Sequence, residues 1–574
     1  MERIEKKVII GIDFGTAGIG FAYGFLDDEN KKAISGYFDG QNVGCKIPTE
    51  IILDNNLEKI LAFGADCTPY ISSHNNSNEY YHFKKIKMNL YKKIYKIKSN
   101  NHQLKEVDIE LIIKLMLIEV KKKAIEQIKK TYPPLIEKNC RFIITVPAIW
   151  DYKSKQIMID AANKAGLFKE NDDIGTFFAL EPEAASIYFN TQESYKKIIN
   201  TEEPFILCDL GSGTVDIIVQ KKVIINNIIT FEELYHPVGG NYGSNRINEL
   251  FMERVIKKLF GKEAYAQIEN QFNDLYQVWI RFEDEIESFK KFYKEENQKN
   301  SYYTINCDIF DEYCNETSKV LVEKFNANCK ETWKIKIKRK WILEFSYNII
   351  DDLMDEILEG VLNCIKEIKK SMKDKVISFI FTGGGSLSPI IINKIQKVDE
   401  ISLNYIQSPY PEVAISLGSV KIAFDRNIIT VRKAKYTFGI GISKEWNKKY
   451  EGKGKKIKIN GKELCDNLFS RFITKGENLP YNQIIKKWYF MDCPMIFIEL
   501  FRTDEKNVTF TDEKDEKNRL KVFKFGIITL DVSDKYDGKN RLVEVEMKFG
   551  GTFISISAKY SKTGEKINSI FAIE

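Results

Sequence analysis

The chain has 574 residues, 43% of them hydrophobic and 29% charged, with a formal net charge of +6. That composition belongs to soluble globular structure too long for a single core, and the length suggests roughly three or four domains. Ten cysteines without a C-x-x-C pair and four histidines without H-E-x-x-H argue against a zinc framework or a zinc hydrolase and for reduced thiols. The charged start Met1–Lys7 precedes no long apolar run, and lysines and acids are interspersed. No signal peptide, membrane span or nucleic-acid surface is therefore expected, and the cytoplasm is the expected compartment.

In chain order, Val8 to Thr16 reads as a buried strand that delivers Asp13 into a Gly15-Thr16 turn, followed by a strand from Ile19 to Phe25. Leu111 to Lys130 has the period of an amphipathic helix with a lysine-rich outer face. Phe142 to Val146 is a predicted strand ending at Pro147, and Ser154 to Ala165 a predicted helix stopped by Gly166. Phe205 to Thr214 then repeats the opening pattern, with Asp209 followed by Gly211-Ser212-Gly213-Thr214 and a strand from Val215 to Val219. Residues 246 to 370 read mostly as long helices with charged faces, broken by a polar stretch from Lys294 to Asn315. Ser378 to Thr382 returns to strand and opens into Gly383-Gly384-Gly385-Ser386. Beyond Asn427, period-two segments dominate: Met495 to Phe501, Phe525 to Asp531, Leu542 to Phe549 and Phe553 to Tyr560, with turns at Tyr536–Lys539 and Gly550-Gly551.

The two copies of strand, aspartate and glycine-rich turn carry the chemistry. Each is a hairpin whose tip frees backbone N–H groups to face an anion, at Gly15, Thr16, Gly211, Gly213 and Thr214. Asp13 and Asp209 offer hard carboxylate oxygens suited to Mg2+ held through its waters. Two such hairpins in one chain point to a duplicated domain clamping a nucleotide. Glu287, Lys290 and Lys291 fall at i, i+3 and i+4 and share one helical face.

Phe142 to Trp150, with Thr145-Val146-Pro147-Ala148, and Ala179 to Ser186, with Leu180-Glu181-Pro182-Glu183, resemble the connecting segment of the DnaK-type seventy-kilodalton heat-shock chaperones. Both hairpins, Gly239-Gly240 with Asn245-Arg246, the Gly383-Gly384-Gly385 turn and the C-terminal strands extend the resemblance along the chain. It is sharpest for the divergent twelfth class of that family, which also resembles Phe83 to Met88. The resemblance implies a duplicated, actin-like (ribonuclease-H-like) two-lobed α/β ATPase domain at 1–426, with lobe I at about 1–200 plus a helix near 411–426 and lobe II at about 203–407. It further implies a linker at 427–433 and an all-β sandwich at 434–574, similar to the chaperones' peptide-binding module but without a helical lid.

The same resemblance implies ATP and ADP with Mg2+ as ligands, and extended or unfolded peptides and co-chaperones as partners. Asp13, Glu181 and Asp209 would handle metal and water, Asp216 standing by, and a lysine would reach the γ-phosphate. Lys85 is the better match for that lysine and Lys87 the alternative. Glu287, Lys290 and Lys291 would clasp adenosine, with Gly383, Gly384 and Gly385 letting ribose and base lie against backbone, and Gly239 and Gly240 would complete the phosphate site. Three substitutions depart from the family: Ala17-Gly18, Ser212 for a glycine, and Glu183 for a threonine. They put turnover in doubt more than binding, and the absence of a leucine-rich linker at Asn427–Val431 implies looser coupling to the β module. The segment from Trp446 to Leu464, where the family has a short peptide-enclosing turn, is enlarged and lysine-rich. A nucleotide-switched chaperone-like ATPase is the leading expectation; a nucleotide-sensing adaptor with little hydrolysis and a small-molecule kinase remain as alternatives.

Overall fold

A computed structural model describes residues 7–572 except 39–43, 75–78, 93, 99–103, 168–176, 193–194, 196–198, 201, 227, 271, 293–300, 374–377, 398–403, 409, 460, 491–493 and 534–541. The fold is mixed α/β with several sheets. Strand Val8–Phe14 is buried at every position because both of its faces are covered, which explains its nearly unbroken apolar run. It pairs antiparallel with Gly18–Phe25 on one side and parallel with Cys140–Val146 on the other, and Phe177–Leu180 lies parallel beyond. Strand Pro204–Leu210 has the same neighbours in the same sense: Val215–Ile225 antiparallel, Ser378–Thr382 parallel and Asn404–Gln407 parallel beyond.

Two helices lie where these sheets meet. Glu181–Thr191 starts with Pro182 in its first turn and is buried from Glu181 to Asn190, a position that suits proline's missing N–H. Ala414–Phe424 crosses it so closely that a Cβ at Gly418 would fall 1.8 Å from the Ala184 carbonyl. Ile9 and Ile143 of the first sheet and Leu207, Ile218 and Ile380 of the second join these helices in one apolar cluster. The hairpins are thus held by a common core.

Several elements differ from the sequence expectation. Residues 246 to 370 hold long helices, among them Phe272–Phe292 and Asn348–Met372, but also a three-stranded antiparallel sheet of Tyr302–Asn306, Ile342–Ser346 and Ile335–Arg339. Its strand Ile335–Arg339 buries only Ile335, so its lysines and arginine read as the charged face of a helix. The expected linker is ordered structure as well: Ile429–Lys433 is a strand that lies parallel to Ile228–Gly240 and antiparallel to Asn478–Pro480.

The remaining C-terminal strands form a five-stranded sheet and a four-stranded sheet. Phe438, Leu500 and Ile528 of one, with Val545, Met547 and Ile556 of the other, belong to a single apolar cluster. The enlarged segment folds into the hairpin of Lys456–Ile459 and Lys462–Ile473, whose Cys465 and Leu468 pack with Tyr450 and Phe510. The turn at Tyr536–Lys539 lies outside the described residues. Among the described residues no helix is long and apolar enough to cross a membrane.

Candidate functional site

The two hairpin tips touch. A Cβ at Gly213 would stand 2.5 Å from Thr16 Oγ1 and 2.4 Å from Met88 Sδ, so only glycine lets the tips meet this closely. Both turns obey the same local constraint: a Cβ at Gly15 would meet the Gly18 carbonyl at 2.4 Å, and one at Gly211 the Thr214 carbonyl at 2.8 Å. Gly211 N–H donates to the Thr214 carbonyl at 3.0 Å, and the Ser212 carbonyl accepts from Asn245 N–H at 2.8 Å. Thr49 Oγ1 braces the first tip by donating to the Gly15 carbonyl at 2.7 Å.

Four carboxylates converge beside the tips. Asp13, Glu181, Asp209 and Asp216 are all at least 95% buried. Asp209 pairs in register with Asp216 on one side and with Thr382 on the other. Asp216 Oδ1 accepts from Ile149 N–H at 2.9 Å. Burial pushes the Asp209 carboxyl well above the usual aspartate range, and the charges of Glu181, Asp216 and Asp13 add to this while Lys46 opposes it. Glu181 is pushed up to about 7, mainly by burial, with Lys87 pulling the other way.

Two lysines enter this acidic pocket. Lys87 Nζ donates to Glu181 Oε1 at 2.6 Å and sits 5.3 Å from the centre of the Trp150 ring. Lys46 Nζ lies 2.7 Å from Asp13 Oδ2. The lysine brought to Glu181 is therefore Lys87 and not Lys85. Lys85 occupies a positive-φ bend (56°) between the strand and the following 3-10 turn, and its charge acts on Glu50 and Glu283. Lys46 had no local signal in the sequence, because its approach depends on the pairing of Lys46–Pro48 with Gly18–Phe25.

The donor set fits a hard divalent cation and a polyphosphate. Asp209 Oδ1 and Thr382 Oγ1 are buried without a hydrogen-bond partner, a costly condition that an incoming ligand would relieve. Asp13 and Asp209 would be the residues to hold Mg2+ through water, with backbone donors of the tips toward phosphate.

The glycine turns line the same cleft. Gly239 and Gly240 pair with Asp216 and Val215, and a Cβ at Gly239 would fall 1.9 Å from the Val215 carbonyl. Gly383, at φ +79°, lies against Asp209, where a Cβ would come within 2.3 Å of Oδ1. Gly385 backs onto the Leu210 carbonyl in the same way, while a Cβ at Gly384 would meet nothing within 4 Å. Glu287 and Lys290 do come together, at 2.6 Å, with Asn248 Nδ2 donating to Glu287 Oε2 at 2.7 Å. Lys290 Nζ donates to the Ser244 carbonyl at 3.2 Å, and Ser244 N–H to the Gly211 carbonyl at 3.2 Å, which ties this helix to the second tip. The side chain of Lys291 lies outside the described residues.

Glu183, two residues past Glu181, is fully buried and is held by Arg432 of strand Ile429–Lys433. Arg432 Nε and Nη2 donate to its two oxygens at 2.7 and 2.8 Å, and Arg432 Nη1 donates to the Gly550 carbonyl. Glu233 Oε1 accepts from Lys433 N–H at 2.9 Å, Thr552 Oγ1 donates to the Phe178 carbonyl at 2.9 Å, and the Phe178 and Phe553 rings meet edge to face at 5.2 Å. A buried charged pair and a sheet register thus hold the strand that stands at the expected linker. A further cluster, Glu50, Cys67 and His82, brings donor atoms within 4.8 Å of one another, with His82 Nε2 at 2.9 Å from Glu50 Oε2. Burial among apolar side chains pushes the Cys67 thiol up, so the cluster reads as a hydrogen-bonded His82–Glu50 pair beside a buried thiol.

The family model described as Domain of unknown function (DUF8340) matches residues 200–404. Heat shock 70 kDa protein 12A of Homo sapiens is 22% identical over 97% of this chain and 90% of its own length. Heat shock 70 kDa protein 12B of Homo sapiens is 20% identical over 99% and 91%. Chaperone protein HscA of Buchnera aphidicola subsp. Schizaphis graminum is 28% identical over 50% of this chain and 38% of its own. Over nearly its whole length the chain is thus a relative of the seventy-kilodalton heat-shock proteins and stands close to their twelfth class.

Proposed function

We propose that the chain is a two-lobed, actin-like nucleotide switch that binds ATP between its paired hairpins and hydrolyses it to ADP and phosphate, with a C-terminal β-sandwich that answers to the nucleotide state. The observation that carries this reading is the gathering of Asp13, Glu181 and Asp209 with Lys46 and Lys87 at the touching tips, with Asp209 Oδ1 buried and unpaired. Backbone donors of Gly15, Thr16, Ser212, Gly213 and Thr214 would cradle the phosphates, the Gly211 N–H expected for this being taken by the Thr214 carbonyl, and Glu287 and Lys290 would flank the base. Mg2+, when bound, supplies charge screening on the phosphate oxygens. Glu181 accepts a hydrogen bond from the attacking water and so aims its oxygen at the γ-phosphorus. That oxygen bonds to phosphorus as the bond to the bridging oxygen breaks, and ADP leaves with the bridging oxygen. The water's proton passes by way of Glu181 to the released phosphate, and Lys87 faces the charge that develops.

Closure of the lobes on the nucleotide would reach the sandwich through Glu183 and Arg432, since Glu183 shares the first turn of its helix with Glu181. Peptide binding is supported by strand Gln483–Phe490, which ends its sheet and exposes Ile484, Trp488 and Phe490. A cytoplasmic setting fits the nine cysteines that stand outside any disulfide among the described residues.

Single-turnover hydrolysis of ATP by wild type and by Asp209→Asn tests the enzyme. A wild-type rate that falls at least a hundredfold in the variant is expected, on the order of what removing one charge-stabilising group costs. Equal rates would leave the second reading, a nucleotide-sensing adaptor. That reading is favoured by the Glu183–Arg432 pair, which can transmit lobe position without turnover.

A further inference from the structure

We propose that Lys46 is a tethered cation of the nucleotide cleft, neutralising its carboxylates in the empty chain and turning to the phosphates of a bound nucleotide, so that binding depends less on Mg2+. The proposal rests on the nucleotide reading above and goes beyond it, because it assigns part of the counter-charge to the protein itself.

Its first support is position. The Lys46 ammonium is 2.7 Å from Asp13 Oδ2, so the carboxylate at the first hairpin tip is countered by a cation of the chain itself. The ammonium thus stands at one of the three carboxylates that would manage metal and water. Its side chain is still 30% exposed, which leaves it a path toward a ligand.

The second support is the track under its stem. Lys46 pairs with Gly20 across the strands, and Pro48 with Gly18. A Cβ at Gly20 would stand 3.2 Å from Lys46 Cγ, and one at Gly18 3.4 Å from Lys46 Cβ. The two glycines leave a bare strip of backbone along which the aliphatic stem lies, with the ammonium delivered to Asp13. Lys87, the other ammonium of the pocket, stands at Glu181 and beside the Trp150 ring instead.

The test is isothermal titration of the full chain with ATP, once in excess Mg2+ and once in EDTA, for wild type, Lys46→Met and Lys46→Arg. Wild type should bind in both buffers. Lys46→Met should lose about ten- to a hundredfold in EDTA, as for a hydrogen bond to a charged group, and much less in Mg2+. Lys46→Arg should keep most of the EDTA binding. Thermal unfolding of each variant, measured alongside, separates loss of the site from loss of the fold. An equal ratio of EDTA to Mg2+ affinities in wild type and in both variants would overturn the role of Lys46 while leaving the nucleotide cleft intact. No binding by folded wild type in either buffer would overturn the cleft reading and this proposal together.

Discussion

Arg432 grips Glu183 with two parallel hydrogen bonds of 2.7 and 2.8 Å, and the carboxylate it grips is fully buried. The pair joins the helix that begins with Glu181 to the strand that leads into the C-terminal sheets. Removing one partner strands a buried charge, which costs about 3–5 kcal/mol. We therefore expect Glu183→Gln and Arg432→Met each to lower stability by about that amount in urea unfolding. The double variant Glu183→Met with Arg432→Met should recover most of the loss, and Arg432→Lys should recover little, since lysine lacks the planar fork. Single variants within about 0.5 kcal/mol of wild type, the range of ordinary surface changes, would contradict the structural role of this pair.

Asp209 is a buried carboxylate among other carboxylates, and its folded pKa lies well above that of an unfolded aspartate. A raised carboxyl pKa contributes stability that is fully present below the unfolded value and is lost as pH rises through the folded one. Asp209→Asn removes the charge and should therefore stabilise the nucleotide-free protein, by an amount that grows as pH is raised above the unfolded value of about 3.8. The same variant should bind Mg2+ with ATP more weakly. Melting temperatures across pH, read beside titrations, check both halves of this trade-off.

Glu233 is pushed up to about 8, first by burial and then by the nearby charge of Glu183. Its contribution is present below about 4.5 and is lost as pH rises through about 8. Urea midpoints at several pH values should thus decline more steeply for wild type than for Glu233→Gln, which keeps an acceptor for Lys433 N–H. Parallel curves would show that Glu233 ionises as an ordinary carboxylate.

Gly383 has φ +79°, and an added Cβ would fall 2.7 Å from the Leu210 carbonyl and 2.3 Å from Asp209 Oδ1. Gly383→Ala should cost about 1–3 kcal/mol from strain and overpacking and should weaken nucleotide binding by displacing Asp209. Gly384→Ala, where a Cβ meets nothing within 4 Å, is the matched comparison and should leave stability nearly unchanged.

Much of the cleft was legible because its parts are local. Each hairpin carries its apolar strands, its aspartate and its turn glycines within one short segment, and Leu180-Glu181-Pro182 marks a strand running into a helix. The helices Ile109–Thr131 and Tyr152–Lys164 fall within two residues of the ends expected from periodicity and breakers. What escaped depends on partners distant in sequence. Lys46 reaches Asp13 only through its pairing with Gly20, and Arg432 meets a glutamate 249 residues away. Lys85 and Lys87 are equivalent as spacing, and only the 3-10 turn at Ile86–Lys92 separates them. Strand Ile429–Lys433 read as a linker because its sheet neighbours, around Phe231 and Pro480, lie in different parts of the chain.

Isothermal titration of the 574-residue chain with ATP in the presence of Mg2+ bears most directly on the nucleotide cleft. The account expects saturable binding at one site per chain, weakened at least tenfold, about 1.4 kcal/mol, by Gly383→Ala and by Asp209→Asn. Absence of binding by a chain that unfolds cooperatively, or binding untouched by either substitution, would contradict it.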